Sequence, residues 1–426
     1  MASLEEPLVF VVLSFEGPDA YARAGGLGAR VTELSQTLAR ASFETHLFFV
    51  GDPDLPGHET REGGRLHLHR WCQWISQYHP GGVYDGEQGK LNDWDSSLVP
   101  WLVSNLIGPI VKSGGHVVVL AEEWQTAASL VYLADVAEAE QWTSHLHLVW
   151  NANHFFGFDR VRWEELKEAA TVTTVSRYMR GQMARWGVEA HVVPNGIGEA
   201  WFLPLAPSMR QQLDRSLMGR LKLVKVARWD PDKGWLAAID AVAELKRRNQ
   251  HPVLIGRGGQ EHHGAEVLGR ARAHGLEVGY VDDFDETAES LSSALSTVAD
   301  RDVILLESFL SLEQQKLLFQ SADVVLANSS IEPFGLVGLQ AMATGGIAFV
   351  GATGEDYATP GRDAIAVETS DPREIVEKVL QIHAGPGQAS LMRRAARRSA
   401  TTYMWPAVLD RRLLPLLHHA AALKDG

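Results

Sequence analysis

Short runs of consecutive apolar residues recur along the 426-residue chain, each followed by a stretch whose apolar positions repeat at helical spacing. In the first half the runs fall at 8–13, 47–50, 116–120, 146–150, 172–175 and 191–193. In the second half they fall at 221–226, 252–255, 278–281, 303–305, 324–326, 347–350 and 364–367. They are rich in Val, Ile and Leu rather than alternating with polar residues, the pattern of strands buried on both faces. Stretches 27–40, 236–247 and 336–343 carry an apolar stripe at helical spacing. Strand–helix alternation over the whole length predicts an α/β protein with parallel sheets. One sheet of so many strands would be unusually wide, so two are expected. Segment 194–207, PNGIGEAWFLPLAP, has three prolines and no period, and it marks the boundary. The division gives a first domain over 1–203 and a second over 204–403. Stretch 405–417 is apolar and interrupted by Pro406 and Pro415. It predicts a kinked helix packing back on the first domain, to which 404–426 are therefore assigned.

Composition adds exclusions. With 45% hydrophobic and 22% charged residues the chain can bury full cores and is not a disordered protein. The 39 basic and 53 acidic side chains leave a formal charge of −14. That balance argues against nucleic acid or an anionic membrane as a general partner, so any anionic ligand needs a local basic site. The lone Cys72 can form neither an internal disulfide nor a cysteine-based zinc site. Residues 1–7 carry two glutamates and no basic segment, and run 8–13 is too short for a secretory core or a membrane span. A cytoplasmic protein without a transmembrane segment is expected. Eight of the 13 tryptophans precede residue 170. Taken together they hint at a carbohydrate ligand, although each one singly reads as a core aromatic.

Three segments carry candidate chemistry. Arg23-Ala-Gly-Gly-Leu-Gly28 lies between the first strand and a helical run. Its glycines suit a tight turn and a close backbone approach, and the free N–H groups of the following helix start favour an anion. The spacing is not the dinucleotide GxGxxG, and the chain has no GxxxxGK[ST], so neither a nicotinamide cofactor nor a P-loop kinase is implied. Lys225-Val-Ala-Arg-Trp-Asp-Pro-Asp-Lys-Gly234 follows a strand and puts Arg228 and Lys233 on one loop. A guanidinium fork and an ammonium point charge so placed make a diphosphate clamp; the plain alternative is a solvated loop whose cations pair with Asp230 and Asp232. Ser329-Ser-Ile-Glu-Pro-Phe-Gly-Leu-Val-Gly-Leu-Gln340 follows strand 324–326 and opens a helix. Gly335 supplies the turn, the amides of Leu336 and Val337 point at an anion, and Glu332 stands ready to bind sugar hydroxyls or to serve as an N-terminal helix acid. All three lie at carboxyl ends of strands, where open α/β sheets bind ligands.

With these motifs in view, the chain resembles a retaining glycosyltransferase of the GT-B fold. It is similar to the family 4 glycosyltransferases and to bacterial glycogen and starch synthases over nearly its whole length. Arg23–Gly28 resembles the synthases' Lys-Thr-Gly-Gly-Leu-Gly loop. Thr173-Thr-Val-Ser176 and Val193-Pro-Asn-Gly196 resemble segments that close the N-terminal domain. Arg228 and Lys233 fall on the Arg-x4-Lys-Gly clamp, Glu332 falls on the first acid of Glu-x7-Glu, and Tyr403–Trp405 resembles the start of the terminal crossover helix. The resemblance implies two Rossmann-like domains facing across a cleft and transfer of a hexose from a UDP-, ADP- or GDP-sugar to a carbohydrate or small-molecule acceptor, with no metal and no other cofactor. The implied donor set is Gly25, Gly26, Gly28, Arg228, Lys233, Glu332, Phe334, Gly335, Leu336, Val337 and Gln340, with Glu332, His154, Arg228 and Lys233 as the catalytic group. A homodimer is compatible with a protein of this size.

Two positions depart from the family pattern. The second acid of Glu-x7-Glu, which binds the nucleotide ribose, is Gln340. Where relatives carry a His after a first-domain strand, this chain reads Trp150-Asn-Ala-Asn-His-Phe-Phe-Gly157, with Asn153 on the His position and His154 beside it. Glu122-Glu-Trp-Gln-Thr126 resembles the synthases' Asp-Trp-His-Thr segment near the acceptor. The implied acceptor set is therefore Arg23, Glu123, Gln125, Asn153 and His154. Residues 71–95 read as a loop-rich acceptor insert. Four Asp-x-Asp pairs (52/54, 93/95, 230/232 and 283/285) in an Asp-rich chain make each uninformative, and the pairs His262–His263 and His418–His419 lack a convincing third ligand, so no metal site is expected. Arg393, Arg394, Arg397 and Arg398 read as a solvated basic face. Two alternatives remain beside the transferase. Gln340 and Asn153 motivate a non-catalytic nucleotide- or sugar-binding protein of this fold, and a nucleotide-sugar epimerase would share the architecture.

Overall fold

A computed structural model describes residues 8–259 and 261–418; residues 1–7, His419 and the rest of the C-terminus lie outside that description. The chain forms two compact units, residues 1–196 with 404–426, and residues 197–403. The boundary thus lies seven residues before the expected 203/204. The reason is local: the amide of Ile197 donates to the carbonyl of Tyr403 at 2.9 Å, and Trp201 stacks on Phe319 of the second unit with ring centres 6.2 Å apart.

The first unit holds an eight-stranded sheet in the order β3-β4-β2-β1-β5-β6-β7-β8. Its strands are β1 (Leu8–Leu13), β2 (Glu44–Val50), β3 (His58–Arg61), β4 (Leu66–Trp71), β5 (His116–Glu122), β6 (Leu146–Ala152), β7 (Thr171–Thr174) and β8 (His191–Val192). Pairing is parallel throughout except for β3, which runs antiparallel to β4. Strands β3 and β4 were not expected from the sequence: β4 reads Leu-His-Leu-His-Arg-Trp, which buries only its alternate residues. Expected insert 71–95 is also more regular than a loop, since helix Glu87–Leu102 covers its end. The C-terminal turn beginning at Trp405 packs in this unit. The Trp405 indole N–H donates to Glu33 at 3.0 Å, and Trp405, Val408, Leu409 and Leu413 share a core with Phe10, Leu34 and Val118.

The second unit holds a seven-stranded sheet in the order β11-β12-β10-β9-β13-β14-β15. Its strands are β9 (Leu221–Val226), β10 (Pro252–Arg257), β11 (Val278–Val281), β12 (Val303–Leu306), β13 (Val324–Ala327), β14 (Ala348–Val350) and β15 (Ile365–Ala366), all parallel. Helices Trp235–Arg247 and Leu336–Thr344 start just after β9 and β13, so both point their N-termini toward the carboxyl end of the sheet. The C-terminal arginines are not a purely solvated face. Arg393 donates to the carbonyls of Ala322 at 2.7 Å and Gly345 at 3.1 Å, and Arg397 to Ala343 at 3.1 Å. They satisfy carbonyls left open at helix C-termini. Among the described residues no helix is long and apolar enough to cross a membrane.

Candidate functional site

In the second unit three loops converge after β9, β13 and β14. Lys233 ends a one-turn helix in the first loop, and its Nζ lies 3.1 Å from Glu332 and 3.3 Å from Asp232. Burial opposes the Lys233 charge, but the two carboxylates outweigh it and hold the ammonium above its ordinary range. Gly234 follows at φ +66°, and a Cβ there would sit 2.5 Å from the carbonyl of Asn328. Only glycine lets the Lys233 loop lie this close to β13. Beneath the loop, Lys225 is fully buried. Its Nζ donates to Asn328 Oδ1 at 2.7 Å and sits 5.3 Å from the centre of the Trp235 ring. Burial, reinforced by the nearby Lys233 charge, lowers it to about 7. Arg228 lies apart from that cluster, exposed, with Nη2 3.0 Å from Asp230. The structure therefore brings Lys233 and Glu332 together and leaves the Arg228 fork at the rim.

The loop after β13 ends on Gly335 at φ +81°, the N-cap residue of helix Leu336–Thr344, which has no side-chain cap. The first-turn amides of Leu336 and Val337 have no hydrogen-bond partner among the described residues, which is the arrangement that attracts an anion. Phe334 is buried against Tyr357 and Tyr403, and the Tyr357 hydroxyl donates to the Gly335 carbonyl at 2.6 Å. Glu332 is positioned by its main chain: its amide donates to Thr353 Oγ1 at 2.9 Å, and its carbonyl accepts from Gly354 at 2.9 Å. Gln340 is half-buried on the helix. Glu355 was not foreseen. It is buried, its Oε2 accepts the Thr353 amide at 3.0 Å, its Oε1 has no partner, and burial pushes it up to about 7. The signal for it was Gly351-Ala-Thr-Gly-Glu355 directly after an apolar run.

In the first unit the glycine-rich segment is already occupied. Glu16 Oε2 accepts from the amides of Ala24 at 3.2 Å, Gly25 at 2.9 Å and Gly28 at 3.0 Å, and Tyr84 donates to Oε1 at 2.9 Å. A buried carboxylate of the chain itself takes up these amides, leaving the amide of Gly26 outside that set. Arg23 turns away and donates to the Pro18 carbonyl at 3.0 Å.

The end of β5 gathers a second cluster. Glu122 is buried and pairs with Arg30 at 3.0 Å. Arg30 also donates to Asn195 of the Val-Pro-Asn-Gly segment at 2.6 Å. Asn151 and Asn153 donate their side-chain amides to Glu122 Oε2 at 2.8 and 2.7 Å. Glu123 sits at φ +68°, ψ 170°, a region essentially reserved for glycine. Its Oε1 accepts the amides of Asn153 at 2.7 Å and His154 at 3.1 Å. Burial, with Glu122 alongside, pushes this carboxyl up to about 8. The His154 ring is exposed and its Nδ1 accepts from the Phe156 amide at 2.9 Å, so the neutral ring carries its proton on Nε2. Gln125 lies in the wall of a cavity of about 110 Å³ with Asp95, Trp124 and Arg160. It donates to Glu87 at 3.1 Å, and its buried Oε1 has no partner. Glu123, Asn153 and His154 thus form one cluster, with Gln125 two residues along the chain facing this cavity.

Two sequence families match this chain. Residues 24–200 match Glycosyltransferase Family 4, and residues 211–399 match Glycosyl transferases group 1. No curated protein matches it. Among solved structures, sucrose-phosphate synthase from Thermosynechococcus elongatus is 19% identical with a TM-score of 0.69, covering 97% of this chain and 100% of that one. The catalytic domain of starch synthase IV from Arabidopsis thaliana, bound to ADP and acarbose, is 14% identical with a TM-score of 0.65, covering 95% and 100%. Anabaena HepE in complex with UDP-glucose is 13% identical with a TM-score of 0.64, covering 96% and 99%. At these identities the likeness is one of fold.

Proposed function

We propose that this chain, a GT-B glycosyltransferase resembling family 4, transfers a hexose from a nucleotide diphosphate sugar to a carbohydrate or small-molecule acceptor with retention of configuration. The observation that carries the reading is the Lys233–Glu332 pair at 3.1 Å, together with the uncapped helix start at Gly335. A cation, unpartnered amides and a sugar-binding carboxylate on adjoining loops suit a leaving diphosphate and its hexose. Lys233, with Arg228 swinging in from the rim, neutralises the diphosphate as its bond to the anomeric carbon breaks. The amides of Leu336 and Val337 bind the distal phosphate. Glu332 accepts hydrogen bonds from donor-sugar hydroxyls. Gln340 meets the nucleotide ribose as a neutral partner. Glu355, poised near neutrality, donates one hydrogen bond from its protonated form to a sugar oxygen.

Retention follows if the acceptor hydroxyl attacks on the face the diphosphate leaves and passes its proton to a phosphate oxygen. Glu123, Asn153, His154 and Gln125 are the acceptor-side candidates. The donor chemistry needs no metal, because cations and amides supply the charge. The test is a thermal-shift and turnover series on the full chain with UDP-, ADP- and GDP-sugars, with and without EDTA. One base should give a metal-independent shift, and Arg228→Ala and Lys233→Ala should each lower donor kcat/KM by about 10²-fold or more. Activity in Lys233→Ala equal to that of the wild type would refute the clamp.

A further inference from the structure

Four histidines and a glutamate gather at the other end of the first unit's sheet, away from the carboxyl ends of its strands. Glu44 and His46 open β2, His67 and His69 lie on β4, and His58 starts β3. The register places His46 opposite His67 and His58 opposite His69. On β4 the buried residues are Leu66, Leu68 and Arg70, so the histidines share the opposite face. The rings of His46 and His67 stack 4.5 Å apart at 11°.

The hydrogen bonds decide what this cluster can hold. His46 Nδ1 lies 3.0 Å from His69 Nε2, and His67 Nδ1 lies 3.3 Å from His58 Nε2. With the proton on each Nδ1, both contacts are made and the Nε2 lone pairs of His46 and His67 turn toward Glu44. Those two atoms lie 3.3 and 4.0 Å from Glu44 Oε1, and all three fall within 4.8 Å of one another. In that tautomer three ligand atoms converge on one point, an arrangement that a cation satisfies.

We propose that Glu44, His46 and His67 bind a divalent transition-metal ion of the zinc class, with His69 and His58 orienting the two ligating rings. Tetrahedral zinc at about 2.0–2.2 Å from N and O ligands sets its ligand atoms roughly 3.4 Å apart. The exposed Glu44 side chain can close the longer separation without moving a strand. A histidine ligand whose other nitrogen is hydrogen-bonded is the ordinary orienting arrangement. The ion would tie β2 to β4 and, through His58, hold edge strand β3. It takes no part in the sugar chemistry, whose residues are elsewhere in the chain.

The test uses untagged full-length protein stripped with EDTA and titrated with ZnCl2, then with CoCl2 as a spectroscopic probe. One equivalent should bind per chain, raise the melting temperature and give the visible absorption of tetrahedral cobalt. Glu44→Gln, His46→Ala and His67→Ala should each weaken zinc binding by about 100-fold, and His69→Ala by about 10- to 100-fold. His145→Ala, in a separate stacked histidine group of the same unit, should leave it unchanged. Glu44 is exposed, so Glu44→Gln reads the site even if a histidine variant fails to fold. Absence of saturable binding, or unchanged affinity in Glu44→Gln, would overturn the proposal.

Discussion

Glu123→Gln should make the protein more stable as pH rises. The Glu123 carboxyl is fully buried and pushed from 4.5 to about 8. A carboxyl raised on folding contributes stability that is complete below its unfolded pKa and is lost as pH climbs through its folded one. The window is therefore pH 4.5 to 8. Within it the wild type loses about 1.4 kcal/mol per pH unit from this group, approaching a total of roughly 5 kcal/mol. Glutamine keeps an oxygen for the amides of Asn153 and His154 and never ionises. Urea unfolding followed by tryptophan fluorescence, run on both proteins at pH 5.5, 6.5 and 7.5, isolates the effect, because all other titrations cancel in the difference. The gap should widen by about 3 kcal/mol across that range while transfer activity falls. A constant gap would refute the raised carboxyl. Glu123→Gly gives an independent check on the backbone: relief of φ +68°, ψ 170° offsets about 1–3 kcal/mol of whatever the lost side chain contributes.

Gln340→Glu should tighten nucleotide binding by about fivefold if the side chain meets the ribose, since a charged acceptor strengthens a hydrogen bond by about twofold in energy; calorimetry with the preferred nucleotide measures it. Gly335→Ala forces a side chain to φ +81° with its Cβ 3.0 Å from the Tyr357 hydroxyl. It should cost about 1–2 kcal/mol of stability and weaken nucleotide binding in the same titration. Glu16→Gln should destabilise the first unit by about 2 kcal/mol, because three amides and a tyrosine hydroxyl lose a charged acceptor at a helix start; an unchanged urea midpoint would show that the charge is idle there.

Much of the fold could be read from apolar runs because parallel strands covered on both faces leave a dense local signal. Run 8–13 coincides with β1, and run 221–226 with β9. Strand β4 escaped because one of its faces carries histidines rather than aliphatic residues, so no run forms. The same face holds the candidate metal site, which explains why both were missed together: its ligands are a strand apart and meet only through the β2–β4 register. The loops around Lys233 and Gly335 were legible because turn glycine, cation and helix start are contiguous in sequence. Glu16 and Glu355 were not, since their roles come from which amides they meet after folding. His154 stands between these cases. Its position on the chain was readable, but its main chain binds Glu123 while its ring stays exposed.

A chain with a charge of −14 must bind an anionic donor against its own field, and the two glycine-led helix starts show how the units divide that problem. At Gly25–Gly28 the amides are already satisfied by Glu16, a buried carboxylate that travels with the fold. That helix start is spent on organising the loop. At Gly335 no side chain caps the helix, Lys233 stands within reach of Glu332, and the first-turn amides are left for a ligand. A glycine-led helix start is thus taken up by the chain's own Glu16 in one unit and, on the proposed reading, by the donor in the other, where Glu332 before Gly335 pairs with Lys233 instead of the amides. The phosphate-binding energy should therefore reside in the second unit. Variants there should change nucleotide affinity directly, whereas Glu16→Gln should act through the stability of its own unit.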